Sequence, residues 1–317
     1  MKVIFMGTPD FAVGTLQALI SSRHEVAAVF TQPDKPKGRG KAVQQTPVKE
    51  MALTAGLLVY QPARVREESV VAQIKELAPD VIVVVAFGQL IPQAVLDIPK
   101  YGCVNVHASL LPKYRGAAPI QWAVIDGEAF SGVTTMQMDA GLDTGDMLLT
   151  EKVALAPDET GGSLFDKLSA VGAELLLKTL DALEAGSVTP TPQPKESPTA
   201  YAAMLKKTDG EINWEKSAAQ IERLVRGLNP WPSAYTHLDG KTLKIWRARL
   251  CAAEGSDGNC AAPGTVMRVT KSEIFVQTGD GILALEEVQL EGKKRMDTAA
   301  FLRGFSIAEG AQLGVKG

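Results

Sequence analysis

The chain has 317 residues, of which 45% are hydrophobic and 22% charged. A chain of this length is longer than one hydrophobic core usually accommodates, so we expect two domains. The formal net charge of −3 excludes attraction to nucleic acid by bulk charge, so any such partner must be met by local basic surfaces. Cys103, Cys251 and Cys260 form no disulfide framework, and no histidine has a His or Cys neighbour at ligand spacing, so we expect a cytoplasmic protein without a metal site.

In the first part of the chain, short apolar runs alternate with helical patterns. Strands are predicted at Val3–Met6, Val26–Thr31, Val81–Phe87 and Val104–Ala108, and helices at Val65–Leu77, Pro119–Ile125 and Ser163–Glu184. Ser163 and Asp166 resemble a capping box, and Gly186 suits the end of the last helix. This alternation predicts an α/β domain with a doubly wound, Rossmann-like parallel sheet. Neither the short apolar run after Lys2 nor any later one predicts a signal peptide or a membrane span.

A polar segment rich in proline follows, and it predicts a linker between the domains. We therefore expect a catalytic domain at residues 1–188, a linker at 189–206 and a second domain at 207–317. In the second domain, helices are predicted at Ala218–Leu228 and Thr298–Phe305, and strands around Tyr235 and at Leu243–Trp246, Gly264–Val269, Ile274–Thr278 and Ile282–Val288. Closely spaced strands with a hairpin turn at Thr278–Gly281 predict a small β-barrel of the OB type.

Two polar residues interrupt the apolar strand that ends near residue 108. Asn105 and His107 are two apart and so face the same side of the strand, at the carboxyl end where open α/β sheets bind ligands. A glycine-rich acidic loop, Asp139–Asp146, follows the next predicted strand and brings Asp143 to the same edge. Taken singly, Asn105 and His107 could also be buried side chains that only satisfy hydrogen bonds within the core, and the loop could be an ordinary turn.

Together, Asn105, His107 and Asp143 predict a site that stabilises a tetrahedral oxyanion without a nucleophile of its own, because the amide and a charged imidazole can both donate to it. This chemistry suits acyl transfer to a substrate amine. The chain has no GxSxG or HExxH motif, which argues against a serine hydrolase and a zinc protease. The first strand ends in Gly7–Gly14 without GxGxxG spacing, so a nicotinamide-dependent dehydrogenase is disfavoured.

The segments Asn105–Pro112 (NVHASLLP) and Gly141–Asp146 (GLDTGD) give the chain a resemblance to the folate-dependent formyltransferases. Within that family it is similar over nearly its whole length to the members that act on initiator methionyl-tRNA, including Gly7–Phe11, Gly38–Gly40 and Leu228–Pro232. The resemblance implies transfer of a formyl group from 10-formyltetrahydrofolate to the methionine amino group on initiator tRNA.

The resemblance also implies roles for individual residues. Asn105, His107 and Asp143 match the family's catalytic positions, and the loop Phe87–Ile91 would flank the pterin. The tetrahydrofolate-binding segment of the family is matched by Ser109, Leu110, Leu111 and Pro112.

The loop Asp34–Lys41 carries four cations and one anion, and in the resembling family it approaches the tRNA acceptor end. The candidate RNA contacts are therefore Lys35, Lys37, Arg39 and Lys41, with Arg39 first because glycines flank it. The second domain adds basic residues at Lys206, Lys207, Lys241, Lys244, Arg247, Arg249, Lys293, Lys294 and Arg295. A solvated loop and an exposed amphipathic strand are the alternatives to RNA contact.

Two other functions stay open on the sequence alone. The same catalytic motifs occur in formyltransferases that act on an amino-sugar nucleotide, and a noncatalytic RNA-binding protein could use the same scaffold. The basic loop and basic second domain favour tRNA, and the intact motif residues favour an enzyme. We expect a monomer that needs no metal and does not associate with membranes.

Overall fold

The computed structural model describes residues 1–37, 42–251 and 261–315. It divides into two compact units. Unit 1 comprises Met1–Pro119, Phe130–Ala154 and Phe165–Ala202, and unit 2 comprises Ile120–Ala129, Leu155–Leu164 and Ala203–Gly317. The segment predicted as a linker thus clusters with unit 1 as far as Ala202.

Unit 1 is built on a seven-stranded sheet with the order β5-β2-β1-β6-β7-β8-β9. Its strands are β1 (Lys2–Gly7), β2 (Glu25–Phe30), β5 (Val59–Tyr60), β6 (Val81–Val85), β7 (Cys103–His107), β8 (Phe130–Gln137) and β9 (Met147–Ala154). A separate antiparallel pair is formed by β3 (Lys35–Lys37) and β4 (Ala42–Gln44). The apolar runs expected as strands lie in the middle of this sheet, because β-branched residues buried on both faces favour that position.

The helices of the first 190 residues are α1 (Asp10–Ile20), α2 (Pro47–Thr54), α3 (Glu68–Leu77), α4 (Gln93–Leu96), α5 (Pro119–Ile125) and α6 (Gly161–Glu184). Three of them confirm predicted helices, whereas α1, α2 and α4 had no counterpart in the sequence-based prediction. The start of α1 explains its omission, because Pro9 occupies the N-cap position and provides no side-chain cap.

The strand order reverses at β1, since the chain passes from β1 to β2 and β5 on one side and then to β6 and β7 on the other. Ligands of doubly wound sheets bind at the carboxyl ends of the strands next to such a reversal. Thr8 follows β1 and donates a hydrogen bond of 3.0 Å to the carbonyl of Phe87, after β6. The loops that follow these two strands are therefore joined at the binding edge of the sheet.

The Rossmann-like architecture is confirmed, with one difference from the predicted parallel sheet. The strands β1, β2, β5, β6 and β7 are parallel, whereas β8 runs antiparallel to β7 and β9 antiparallel to β8. Only four residues separate the end of α5 at Ile125 from the start of β8 at Phe130, and β8 and β9 are joined by the Asp139–Asp146 loop. A short loop can join antiparallel neighbours, whereas parallel ones require a long crossover.

Unit 2 contains an antiparallel sheet with the order β10-β11-β14-β13-β12, and β15 pairs with β14. Its elements are α7 (Ala218–Gly227), β10 (Ala234–Leu238), β11 (Lys241–Leu250), β12 (Val266–Val269), β13 (Ile274–Gln277), β14 (Ile282–Leu290), β15 (Met296–Asp297) and α8 (Thr298–Gly304). The helix α7 begins with a capping box of Ser217 and Gln220 and buries Ile221 and Val225.

These elements confirm the predicted antiparallel second domain and its hairpin turn at Thr278–Gly281, where Gln277 pairs with Ile282. The ladders of the described residues run from β10 to β12 without a pairing between those two strands. Closure into a barrel therefore stays a prediction. No helix among the described residues is both long and apolar enough to span a membrane.

Candidate active site

The strand β7 brings Asn105 and His107 to one face at its carboxyl end. Asn105 lies opposite Val84 of β6 and Met136 of β8, and His107 lies opposite Thr134 of β8. His107 is buried, whereas Asn105 is partly exposed. The alternation of the strand thus places an accessible amide and a buried imidazole on the same side of the sheet.

His107 has partners on both ring nitrogens. Its Nε2 lies 3.0 Å from the carbonyl oxygen of Tyr114, and because that oxygen only accepts, Nε2 donates. Its Nδ1 lies 3.8 Å from Oδ1 of Asp143. A proton on Nδ1 would therefore turn this approach into a charge-assisted pair, and such contacts are often longer in free enzymes than in substrate complexes.

Asp143 is held by the backbone around it as well as by His107. Its Oδ2 accepts a hydrogen bond of 2.9 Å from the backbone nitrogen of Gly116, and its own backbone is left-handed, with φ of 55°. The loop turns tightly here, since a Cβ on Gly145 would lie 1.8 Å from the carbonyl oxygen of Gln137. Glycine is required at position 145 because no side chain fits that approach.

Asn105 is the uncommitted donor of the group. Within the described part of the chain, its side-chain amide makes no hydrogen bond, although Asn105 shares a strand face with the His107–Asp143 pair. An amide of this kind can donate to an oxygen on which negative charge develops. The residues present therefore fit a carbonyl donor whose oxygen becomes anionic during transfer.

The expected folate-binding residues form the turn that follows β7. The hydroxyl of Ser109 donates to the carbonyl of Lys113 (2.7 Å), and Leu111 donates its backbone N–H to Oγ1 of Thr134 (3.1 Å). Ser109 and Leu111 are buried, whereas Leu110 and Pro112 are partly exposed. The Ser109 hydroxyl thus stabilises the turn, and Leu110 and Pro112 are the two of these four side chains that solvent partly reaches.

The loop Phe87–Ile91 follows β6 and is fixed from two sides. Phe87 is buried, and its carbonyl accepts hydrogen bonds from Thr8 (3.0 Å) and Gln32 (3.2 Å). The side chain of Leu90 is 72% exposed. A rigid loop that presents an apolar side chain to solvent suits the flat face of an aromatic ligand.

Of the residues expected to contact RNA in the basic loop, Arg39 and Lys41 lie outside the described residues. Lys35 and Lys37 are in β3, and Lys35 is exposed and lines a cavity of about 370 Å³ with Thr8 and Gln32. The anion of this loop is neutralised, because Asp34 forms an ion pair of 2.6 Å with Lys49. Hydrogen bonds from Lys49 and Gln61 lower the pKa of Asp34.

The basic residues of unit 2 divide into two groups. Arg247 and Arg249 pair with Glu286, and Arg295 pairs with Glu287. These arginines line a cavity of about 900 Å³ together with their carboxylate partners, so their charge is largely balanced. Within the described part of the chain, no such ion pair involves the exposed lysines Lys206, Lys207, Lys241, Lys293 and Lys294, which are therefore the better candidates for phosphate contact.

Three residues close to the site were not predicted from the sequence. Arg115 is buried and hydrogen bonds to Gln193, and Gln193 bonds to the backbone of Asp143. A Cβ on Gly116 would lie 2.6 Å from the carbonyl oxygen of Ala202. The sequence could have indicated Arg115, because it is a cation inside the motif loop. It gives no indication of Gln193, whose contact with Arg115 joins residues 78 positions apart.

The Cys103 thiol at the start of β7 is unsuited to nucleophilic chemistry. Burial raises the pKa of the Cys103 thiol to about 12, so the thiolate is not accessible at neutral pH. Among the described residues, no three His, Cys, Asp or Glu side chains are grouped closely enough to hold a metal ion.

Comparison with known proteins gives matches along most of the chain. The formyl transferase family model matches residues 1–180, and the model of the formyl transferase C-terminal domain matches residues 204–306. A methionyl-tRNA formyltransferase of Agathobacter rectalis is 59% identical over 98% of this chain and 99% of its own length. One of Lachnospira eligens is 58% identical over 99% of this chain and 100% of its own length.

Solved structures share the fold at low identity. WlaRD, a sugar 3N-formyl transferase, has a TM-score of 0.65 at 17% identity, covering 93% of this chain and 99% of its own. HypX from Aquifex aeolicus, solved with tetrahydrofolic acid, has a TM-score of 0.62 at 19% identity, covering 95% of this chain and 47% of its own. With both domain models matched and relatives above half identity over nearly the full length, the chain belongs to the formyl transferase family.

Proposed function

We propose that this protein transfers the formyl group of 10-formyltetrahydrofolate to the amino group of methionine on initiator tRNA, for translation initiation. The observation that carries the chemistry is the His107–Asp143 pair at 3.8 Å, on the strand face that also presents the uncommitted amide of Asn105. The choice of acceptor is supported by relatives named methionyl-tRNA formyltransferase at 58% and 59% identity.

The reaction needs little covalent participation from the protein. 10-Formyltetrahydrofolate supplies the formyl carbon, which the methionine amine attacks, so that a C–N bond to methionine forms and the bond to N10 of the folate breaks. Asn105 donates its amide N–H to the formyl oxygen as negative charge develops there. The proton lost by the amine is balanced by the proton gained at N10.

His107 and Asp143 act together on the same step. A proton on Nδ1 gives the imidazole a positive charge that stabilises the developing oxyanion, and Asp143 stabilises that charge from the Nδ1 side. The hydrogen bond from Nε2 to the Tyr114 carbonyl fixes the plane of the ring. A site of this kind works by preorganised charge and requires no metal.

For the formyl donor, we infer that Ser109, Leu110, Leu111 and Pro112 provide the folate-binding turn and that Phe87–Ile91 flanks the pterin. The exposed side chain of Leu90 and the partly exposed Leu110 and Pro112 support this placement, because a pterin ring is flat and largely apolar on its faces.

For the acceptor, we infer that Lys35, Lys37, Arg39 and Lys41 contact the tRNA and that exposed lysines of unit 2 hold its phosphates. Lys35 is exposed, and the one anion in the sequence of this loop, Asp34, is already paired with Lys49. A catalytic domain at residues 1–188, a linker at 189–206, a tRNA-binding domain at 207–317, a cytoplasmic location and a monomeric state complete the proposal.

The decisive experiment offers the purified protein two acceptors in separate reactions with 10-formyltetrahydrofolate. One is initiator tRNA charged with methionine, and the other is an amino-sugar nucleotide, the kind of acceptor that a sugar formyltransferase uses. We expect the protein to formylate methionyl-tRNA and not the sugar. The His107→Ala variant should formylate methionyl-tRNA only at a trace level. Formylation of the sugar alone would replace the acceptor, and formylation of neither by folded protein would leave a noncatalytic role.

A further inference from the structure

The segment 191–202, which lies within the predicted linker at 189–206, packs onto both loops of the site within unit 1. Ser197 donates to the carbonyl of Pro112 (2.8 Å), and Thr199 accepts from the backbone nitrogen of Tyr114 (2.7 Å). Ala202 accepts from the backbone nitrogen of Ala117 (2.8 Å) and donates to the carbonyl of Arg115 (2.8 Å). The segment is therefore part of the framework around His107 and Asp143.

Arg115 is the buried centre of this framework, with an exposed fraction of 9%. Its Nε and Nη2 both donate to Oε1 of Gln193, at 3.0 and 2.9 Å. Nη2 also donates to the carbonyl of Pro194 (2.7 Å), and Nη1 to that of Lys195 (3.1 Å). All three acceptor groups belong to the segment, so one guanidinium holds three consecutive residues of it.

The amide of Gln193 connects this guanidinium to the acidic loop. Its Nε2 donates to the carbonyl of Asp143 (3.0 Å) and to that of Gly145 (2.7 Å). A guanidinium can only donate and a carbonyl can only accept, so only an amide in this orientation satisfies both sides. Neither a carboxylate nor an ammonium could replace it without an unpaired or repelled contact.

These bonds act where Asp143 needs external support. Asp143 has the left-handed backbone that residues other than glycine rarely adopt. The two hydrogen bonds from Gln193 hold the carbonyls of Asp143 and Gly145 and so stabilise this turn. The neighbours of Arg115 hold the other side, because Tyr114 accepts from His107 and Gly116 donates to the carboxylate of Asp143. The Arg115 side chain and the adjoining backbone thus reach both members of the pair.

We propose that Arg115 and Gln193 are positioning residues that hold Asp143 beside His107 through the Gln193 amide. Neither touches the reacting atoms, and both act through the geometry of Asp143. The expected effect on kcat rests on the proposed function, whereas the expected effect on the position of Asp143 does not.

The first test is the substitution Gln193→Glu. The carboxylate still accepts from Arg115 but repels the carbonyls of Asp143 and Gly145, so the acidic loop loses its hold while the segment stays attached. We expect kcat to fall by up to about 100-fold, as for a small displacement of a reacting group, with little change in KM for either substrate. Gln312→Glu is the matched control, because Gln312 also bridges a donor and a carbonyl, in unit 2. Its kcat should stay at the wild-type value.

A double-mutant cycle separates positioning from general damage. In an Asp143→Ala background the Gln193→Glu substitution should have no further effect on kcat, because the group through which Gln193 acts is already gone. If the two losses multiply instead, Gln193 acts independently of Asp143 and the proposal is overturned. Should Gln193→Glu fail to fold, Gln193→Met takes its place, since it keeps the length and removes both kinds of hydrogen bond.

Hydrogen exchange at the backbone nitrogen of Gly116 tests the placement of Asp143 without any assay of activity. This amide donates to Asp143, so it should exchange faster in Gln193→Glu and at the wild-type rate in Gln312→Glu. Unchanged exchange in Gln193→Glu refutes the positioning role. If the wild-type protein formylates neither acceptor, the proposed function fails, and this measurement still decides whether Gln193 positions Asp143.

Discussion

At the scale of single residues, the chemical environment of the His107 ring comes from two groups outside its strand, the Tyr114 carbonyl and the Asp143 carboxylate. The Tyr114 carbonyl accepts a hydrogen bond from Nε2, and Nδ1 is the nitrogen that faces Asp143. Tyr114 and Asp143 both have left-handed backbones, with φ of 55°. Both partners of the imidazole thus lie at sharp turns that the surrounding hydrogen bonds must maintain.

Removing any member of the site should impair chemistry more than folding. Asn105→Ala, His107→Ala and Asp143→Ala should each lower kcat by roughly 100-fold to 1,000-fold, since each removes part of one preorganised charge arrangement. Thermal melting of each variant and folate binding provide the check on folding. Asn213→Ala, in an exposed turn of unit 2, is the control. A variant of the three with wild-type turnover would remove that residue from the mechanism.

Arg39 tests the contact with tRNA separately from the chemistry. Arg39 lies between two glycines in the sequence; glycine permits a close approach of the backbone to a ligand, and a guanidinium can donate two hydrogen bonds to one phosphate. Arg39→Ala should therefore raise KM for methionyl-tRNA and make the salt dependence of tRNA binding shallower by roughly one phosphate contact. Folate binding and melting temperature should stay unchanged.

Two further variants complete that test. Arg39→Lys keeps the charge and loses the planar fork, so it should restore the KM only partly. Arg303→Ala removes an exposed arginine at the end of α8 and should leave tRNA kinetics unaltered. Equal salt slopes for Arg39→Ala and the wild type would make the loop a solvated connection.

At the scale of elements, the ends of helices and strands depend on contacts that lie outside them. The predicted strand Val81–Phe87 stops at Val85 because Ala86 turns the chain, with φ of 46°. The predicted helix Val65–Leu77 begins at Glu68, and the backbone N–H of Val65 instead donates to Oε1 of Gln89, at 2.7 Å. The helix α6 starts at Gly161, and Thr160 and Ser163 exchange the capping bonds expected of Ser163 and Asp166.

A buried histidine next to α6 makes the stability of unit 1 depend on pH. His24 is buried, with Nε2 3.6 Å from Asp181 and Nδ1 3.3 Å from the amino-terminal nitrogen. Burial lowers the pKa of His24 from its ordinary value of 6.5, and the amino-terminal charge and Arg23 lower it further. The folded state therefore binds this proton less readily than the unfolded state does.

The sign of the effect follows from that difference in proton binding. The contribution of neutral His24 is fully present above the unfolded pKa and is lost as the pH falls below 6.5 towards the lowered pKa. His24→Gln cannot take up this proton, so its melting temperature should fall less steeply between pH 6.5 and pH 5 than that of the wild type. Parallel curves for the two proteins would mean that His24 does not control stability in this range.

At the scale of the whole molecule, the two family models match residues 1–180 and 204–306, and each compact unit has its own buried core. In the proposed function, the first unit catalyses formyl transfer, and exposed lysines of the second unit bind the phosphates of the tRNA. A balance of −5 in residues 1–200 and +2 in residues 201–317 agrees with that division.

The proposed chemistry predicts that the protein works without a metal. Asn105, His107 and Asp143 supply all the charge stabilisation in the mechanism, so extensive dialysis against a chelator should leave kcat for methionyl-tRNA unchanged. A loss of activity that added zinc restores would contradict this mechanism. Melting curves before and after dialysis would show whether any loss arises from unfolding.

Much of the fold and of the candidate site could be predicted from the sequence, because local patterns encode them directly. The runs Val3–Met6 and Val81–Phe87 are short and wholly apolar, which favours buried strands, and Gly186 follows the end of α6 in the left-handed conformation, with φ of 63°. Spacing alone also placed Asn105 and His107 on one face, since the side-chain period of a strand is two. Asp143 could be added because its loop follows the neighbouring strand.

Only the tertiary structure decided the direction of β8 and β9, the partners of His107 and the attachment of residues 191–202 to the site. Each of these depends on groups far apart in the chain, as Arg115 and Gln193 are, at a separation of 78 positions. Such contacts are set by the packing of complete elements, and they leave no periodicity or composition in the segments that make them. A proline-rich stretch therefore predicts a linker, although hydrogen bonds to Tyr114, Arg115 and Asp143 make it part of the active-site framework.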